Sequence, residues 1–257
     1  MAIRDMLPAK IYSKLWGDRR KFGFLPDVND LDWKIWLEKR YTDFYQNTQQ
    51  AGIGNRICKL AYPVISKIDF KNKKVLEIGP GIIRHLGYIS SKPQMYTICD
   101  TEEDCLSMSK TILDDAGIRN KEVLLNNIKG SSLPFPDDGF DIVVSFNSLE
   151  HLYPLEEYLI EIYRVIKPGG QLVGGIPCEG GLTWGIGRYF TTRRYVHKTY
   201  NINYDKIICW EHPNFADLIL RLLERLCKQE FIKFYPLSFL PIDFNLMVSF
   251  IYRKEKE

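Results

Sequence analysis

The chain has 257 residues, 45% of them hydrophobic and 26% charged, a balance that fits a folded globular protein and excludes intrinsic disorder. Its 35 Lys and Arg against 32 Asp and Glu leave a formal charge of +3, too small an excess to make a nucleic-acid backbone the default partner. No apolar run reaches the roughly 20 residues of a membrane-spanning helix, and Asp5 and Pro8 interrupt any secretory signal, so a cytoplasmic protein with no nucleic-acid partner and no integral membrane segment is expected.

Residues 1–70 form an aromatic, irregular opening segment that contains Trp16, Trp33, Trp36, Tyr41, Phe44 and Tyr45, with a helix expected from about Thr48 to Lys67. Two readings of it stand side by side: packing against the core, or closing over a ligand at the carboxyl ends of the strands. Strands are expected at 74–78 (KVLEI), 95–99 (MYTIC), 122–126 (EVLLN), 140–146 (FDIVVSF) and 171–176 (QLVGGI), each a short β-branched run. A helix after the first strand would carry His85, and the clearest helix runs from Leu155 to Lys167, with Leu155, Leu159, Ile162 and Ile166 on one face before Pro168-Gly169-Gly170. Residues 178–213 read as an irregular insert. Pro213 and Asn214 mark the start of a helix striped by Phe215, Leu218, Ile219, Leu222 and Leu226. Strands at 231–237 and 245–252 follow, joined by a connection too short for a helical crossover, so the last strand should run antiparallel. Alternation of this kind predicts a doubly wound α/β domain over 71–257, with the insert on its reacting side and residues 1–70 packed on or capping it.

Six cysteines, at 58, 99, 105, 178, 209 and 227, show no two-residue spacing of a zinc or redox site, so reduced thiols and no metal are expected. Cys58, Cys99 and Cys227 read as small buried hydrophobes, and Cys178 and Cys209 as loop residues open to solvent. Directly after the first strand, Glu77-Ile78-Gly79-Pro80-Gly81 forms a turn whose glycines permit a tight bend and close approach of backbone to a ligand. Arg84 stands where a dinucleotide fingerprint needs glycine, which weakens a pyrophosphate reading, while Asp100 at the end of the second strand suits the hydroxyls of a ribose.

VLEIGPG at 75–81, Asp100, LPFPDDGFDIVVSFNSLEHL at 133–152 and LIEIYRVIKPGGQLVGGIP at 159–177 together resemble class I S-adenosylmethionine-dependent methyltransferases. The resemblance implies a Rossmann-like seven-stranded sheet of order 3-2-1-4-5-7-6 with strand 7 antiparallel and helices on both faces, and S-adenosyl-L-methionine as cofactor, with S-adenosyl-L-homocysteine as product. It implies that Glu77, Gly79, Pro80 and Gly81 surround the methionine part, that Asp100 holds the ribose, and that Thr101 and Glu102 flank the adenine. Ile83 replaces the usual third glycine, and no acidic residue precedes Leu133, so backbone groups of Ile128 and Lys129 are expected at the adenine edge. Asn147, at the end of the fourth strand, would face the sulfonium.

Methyl transfer is an in-line displacement that needs alignment and, for a hydroxyl acceptor, a general base. His151 is the first candidate and His197 the second, against the plainer reading of each as a packing or capping residue, with His212 ranked below His151 as a surface or packing histidine. In the insert, Arg188, Arg193, Arg194 and Tyr195 suit a ring-bearing anionic acceptor, or alternatively a lid with its own aromatic core. The expected activity is methylation of a small or carrier-linked molecule, at a hydroxyl of a sugar or glycan precursor, because PCEGGL, TTRR and EHPN resemble segments of bacterial surface-polysaccharide methyltransferases. A quinone or lipid methyltransferase, or an inactive S-adenosylmethionine-binding regulatory protein, are the alternatives.

Overall fold

The computed structural model describes residues 2–40, 52–125 and 131–256. The opening segment supplies α1 (Ala9–Trp16), α2 (Arg19–Phe22) and α3 (Leu31–Lys39), the last two started by Asp18 and Asp30, whose carboxylates accept from first-turn N–H groups. Helix α4 (Gly52–Lys59) gives way to a 3-10 turn at Tyr62–Lys67 around Pro63, so the helix expected to reach Lys67 is broken; Thr48, Tyr41, Phe44 and Tyr45 lie outside the described residues.

The sheet then builds in the order of the chain: β1 (Lys74–Ile78), β2 (Met95–Asp100), α5 (Glu103–Asp115), β3 (Asn120–Leu124), β4 (Phe140–Phe146), α6 (Leu155–Val165) and β5 (Ile166–Pro177). After the insert helices α7 (Leu182–Phe190), α8 (Thr192–Tyr200) and α9 (Tyr204–Glu211) come α10 (Ala216–Leu226), β6 (Lys228–Tyr235) and β7 (Met247–Arg253). Strand order is β3-β2-β1-β4-β5-β7-β6, and β7 runs antiparallel to both β5 and β6, as the short final connection requires. This is the Rossmann-like sheet expected from the motifs.

Several boundaries differ from the sequence reading for identifiable reasons. Strand β3 starts two residues early, and Asn126 lies outside the described residues. Helix α6 stops at Val165 and β5 takes over at Ile166, because Pro168 drives Lys167 out of the helical region. Strand β6 ends at Tyr235 because Pro236 has no N–H for the ladder. No α-helix follows β1: the Ser109 hydroxyl of α5 donates to the Gly81 carbonyl at 2.7 Å and accepts from the Ile83 N–H at 3.2 Å, using groups that a helix would need. His85 therefore sits not on a helix but buried at the entry to a 3-10 turn, Leu86–Tyr88.

One face of the sheet packs Leu76, Val143 and Phe250 against Leu159 of α6 and Ile219 of α10, and the other packs Val75, Ile98 and Val144 against Ile65, Phe70 and Leu113 of α5. The insert is not irregular. Ile207, Ile208 and Trp210 of α9 and Val196 of α8 form a separate apolar cluster with Trp36 of α3, and the Trp16 indole donates to the Gly181 carbonyl at 3.1 Å. Helices α1 and α3 thus pack on the insert rather than on the sheet, and both cysteines expected in solvent are buried, Cys178 in the sheet core and Cys209 in the insert cluster, while Cys58 is only half-buried.

Candidate active site

The carboxyl ends of β1, β2 and β4 open into a cavity of about 340 Å³, closed on its far side by α4, Arg40 and the end of α9. Parallel strands present their carboxyl ends on one edge, which is where an open α/β sheet accommodates a ligand. Glu77, Gly79, Pro80, Gly81, Asp100, Thr101 and Asn147 all line this cavity, as expected, and so does His151.

The turn after β1 has φ +60° at Gly79 and φ +51° at Gly81, and a Cβ placed on Gly79 would fall 2.3 Å from the Ser148 hydroxyl. A Cβ on Gly81 would meet nothing within 4 Å, so the backbone there faces open space. Asp100 ties the two strand ends together: one carboxylate oxygen accepts from the Thr101 N–H at 2.7 Å and the Glu102 N–H at 3.1 Å, and the other accepts from the Gly81 N–H at 3.1 Å. Four acceptor directions minus three leaves one for a ligand hydroxyl, fewer than the pair that the sequence suggests for a ribose. Burial raises the Asp100 carboxyl above the usual carboxylate range, against the pull of those three N–H groups.

Glu77 is wholly buried beneath the turn, where burial pushes its carboxyl up to about 8 in spite of the hydrogen bond it accepts from the Tyr96 hydroxyl at 2.8 Å. His85 lies 3.2 Å from the same hydroxyl and is held neutral by burial, which lowers it to about 3.

Across the cavity, His151 ends a 3-10 turn, Leu149–His151, that leaves β4. Its Nδ1 is 2.5 Å from the Glu211 carbonyl, and about a third (32%) of the side chain is open to the cavity. Burial, and then the His212 ring 4.5 Å away, lower its pKa to about 4. Arg40 spans the mouth, donating to Glu102 at 2.9 Å on the strand side and to Glu211 at 3.1 Å on the insert side.

Other expected site residues lie elsewhere. His197 is on α8 beside Asp32 and Arg193 in a separate hollow, away from the strand ends. Arg188 is buried against the Leu15 and Lys14 carbonyls and Asp205, Arg193 makes a paired contact with the same Asp205, Arg194 stacks over Phe190, and Tyr195 packs on Tyr200. None of the four lines the cavity: the Arg188 and Arg193 guanidinium groups are drawn to nearby carboxylate and carbonyl oxygens, and the exposed Arg194 and half-buried Tyr195 pack on neighbouring rings. Ile128 and Lys129 lie outside the described residues. Sequence reasoning missed Arg40 and Glu211 and ranked His212 as a surface or packing histidine; the only signal was the run Glu211-His212-Pro213, because the first two act through contacts to residues far away in the chain.

Residues 76–174 match the methyltransferase domain family. The fatty-acid O-methyltransferase of Mycolicibacterium smegmatis is 32% identical over 120 residues, 45% of this chain and 41% of that protein. The ubiquinone/menaquinone biosynthesis C-methyltransferase of Psychromonas ingrahamii is 29% identical over 106 residues, 40% of this chain and 42% of that one. The chain therefore spans about two fifths of the length of these relatives. Among solved structures, an S-adenosylmethionine-dependent methyltransferase of Thermotoga maritima superposes with a TM-score of 0.53 at 18% identity, covering 87% of this chain and all of that one. With the sheet order and the turn after β1, these likenesses define a class I S-adenosylmethionine-dependent methyltransferase fold. Residues 76–174 of this chain are therefore similar to a methyltransferase domain, and the cofactor that the likeness implies is S-adenosyl-L-methionine. The residues present fit that group: Gly81 opens to the cavity, Asp100 keeps one acceptor direction, and Glu77 puts a carboxyl beneath the turn. Among the described residues no His, Cys, Asp and Glu side chains are grouped to hold a metal ion, and no helix is long and apolar enough to cross a membrane.

Proposed function

We propose that this chain transfers a methyl group from S-adenosylmethionine to a hydroxyl of a small or carrier-linked acceptor, with His151 as the general base. The observation that carries this reading is the environment of the His151 ring. A carbonyl can only accept, so Nδ1 next to the Glu211 carbonyl must carry the proton, which leaves Nε2 with its lone pair on a side chain that lines the cavity. Burial and the neighbouring His212 ring keep the ring neutral in the physiological range, with the Nε2 lone pair open to a proton. Bound S-adenosylmethionine supplies a methyl carbon activated by the sulfonium. The protein's own part is to hold the acceptor in line and to take its proton at Nε2.

A sugar or glycan precursor is the acceptor we favour. Asn55, Arg84 and Glu211 line the cavity together with His151, a polar set suited to a molecule with several hydroxyls. The insert arginines lend that choice no support, being paired elsewhere. One observation favours a lipid or quinone instead: Tyr153, just beyond the cavity-lining Leu152, stacks on Phe24 at 5.2 Å, and Leu25, Val28 and Leu31 beyond it are exposed. The relatives that act on fatty acids and quinones point the same way.

The experiment is transfer of labelled methyl groups from S-adenosylmethionine across nucleotide sugars, polyprenyl-linked saccharides, quinols and fatty acids. Product with the sugar-bearing acceptors is expected. His151→Ala should lower kcat by about 100-fold or more while S-adenosylmethionine still binds. Absence of S-adenosylhomocysteine with every acceptor would refute the enzymatic reading, and full turnover by His151→Ala would remove the base.

A further inference from the structure

Behind His151 lies a closed polar array that methyl transfer itself does not require. Glu179, in the turn after β5, is fully buried, and its two oxygens take different partners: Arg19 at 3.3 Å and His212 Nδ1 in a short hydrogen bond. The Arg19 guanidinium is committed to the Trp16, His212 and Pro213 carbonyls and to the face of Phe215, so the close partner of Glu179 is His212. Glu211 faces the array from α9, held by Trp36 and Arg40, with Oε2 3.6 Å from His151 Nδ1. Glu150, from the same turn as His151, is buried and its Oε2 has no partner.

Two imidazole rings 4.5 Å apart and edge to face cannot both carry a proton's charge without strong repulsion. Geometry decides which one does. His212 Nδ1 meets a buried carboxylate, whereas His151 Nδ1 meets a carbonyl, and a carboxylate stabilises an imidazolium far more than a carbonyl does.

We propose that His212, charged by its bond to Glu179, is a positioning residue for His151: it claims the proton of the histidine pair and so keeps His151 in the neutral, Nδ1-protonated form with Nε2 available to the cavity. This inference rests on the base role of His151 proposed above. The directions of titration agree with it. Burial alone would lower His212, but Glu179, Glu150 and Glu211 around it raise it above its ordinary value, while His151, facing His212, Glu211 and Glu179, is lowered.

The test reads the rings directly. The chain has four histidines, at 85, 151, 197 and 212, so nitrogen spectra of histidine-labelled protein between pH 3 and 8 can follow each one, with assignments from single variants. In the wild type at pH 7, His212 should carry protons on both nitrogens and His151 on Nδ1 alone; a neutral His212, or a His151 protonated on Nε2, overturns the proposal without any variant having to fold. In His212→Gln, which keeps a donor for Glu179 but no charge, the His151 midpoint should rise by about one to two pH units. In Glu179→Gln, His212 should be neutral at pH 7. The kcat profile on the acid side should move with the His151 midpoint while calorimetric affinity for S-adenosylmethionine stays within twofold. An unchanged His151 midpoint in His212→Gln also overturns the proposal. Absence of S-adenosylhomocysteine with every acceptor, alongside the expected division of protons, would refute the methyl-transfer reading alone.

Discussion

Asp100 joins the two strand ends that frame the cavity, and replacing it with Asn separates its two tasks. An Asn oxygen in the place that serves Thr101 and Glu102 keeps both of those hydrogen bonds. Its NH₂ group then faces the Gly81 N–H, which loses its acceptor, and the one free acceptor direction of the carboxylate disappears. A hydrogen bond from a ribose hydroxyl to a carboxylate contributes about 1.5–3 kcal/mol, so S-adenosylmethionine should bind about 10- to 150-fold more weakly. The unpaired Gly81 N–H costs about 1–3 kcal/mol of stability, which for a chain of this size lowers the Tm by about 2–10 °C. Titration calorimetry with S-adenosylmethionine and scanning calorimetry of the ligand-free protein measure the two effects separately. Affinity within twofold of wild type, combined with the loss of Tm, would show that Asp100 only shapes the turn and would refute its role in binding ribose. Because burial raises the Asp100 carboxyl, wild-type affinity should already weaken on the acid side at a pH above the usual carboxylate range.

Four further substitutions test the turn, the insert and the buried carboxyl. Gly79→Ala places a Cβ 2.3 Å from the Ser148 hydroxyl at a φ of +60°, so it should destabilise by about 2–5 kcal/mol in chemical denaturation, with part of the loss recovered by Ser148→Ala; a single variant as stable as wild type would contradict the turn geometry. Arg188→Ala leaves Asp205 with one cation fewer and two backbone carbonyls unserved, an expected loss of about 3–5 kcal/mol, whereas Arg194→Ala on the surface should change stability by less than about 0.5 kcal/mol and leave S-adenosylmethionine affinity alone. A fall in affinity in Arg194→Ala would return the insert arginines to the site. Glu77 is protonated in the folded chain up to about 8 but ionises near 4.5 when unfolded, so the native state binds more protons in that window and stability should fall as pH rises through it. Glu150, raised to about 7, acts in the same direction. Glu77→Gln should flatten the decline of Tm between pH 5 and 8, and an unchanged slope would place the ionised carboxylate in the native state.

The strand half of the molecule was legible because its signals are local. KVLEI and FDIVVSF coincide with β1 and β4, and the short link before Met247 implied the antiparallel final strand. That Glu77, Gly79 and Gly81 line one cavity was legible for the same reason, since a strand–turn motif carries its geometry within a few residues. The missing helix after β1 was not, because Ser109, distant in the chain, captures the backbone of Gly81 and Ile83. The insert read as irregular because its helices are only eight or nine residues long and are held by packing on α1, α3 and one another. Arg188 illustrates the limit: a cation among aromatics fits an anion-binding lid as well as a structural strut, and only the placement of Asp205 and the α1 carbonyls decides.

The two walls of the cavity differ in origin, and that difference has a functional consequence. The cofactor side is made of strand tips that stay where the sheet puts them. The acceptor side is made of pairings between distant segments, such as Trp36 with Glu211 and Arg40 with both Glu102 and Glu211. Glu211 also presents the carbonyl that sets the His151 tautomer. A change at Glu102, beside the expected adenine position, can therefore reach the base through Arg40 and Glu211 without altering the sheet, whereas substitutions in the apolar cluster under α9 would move the acceptor wall and leave the strand tips in place.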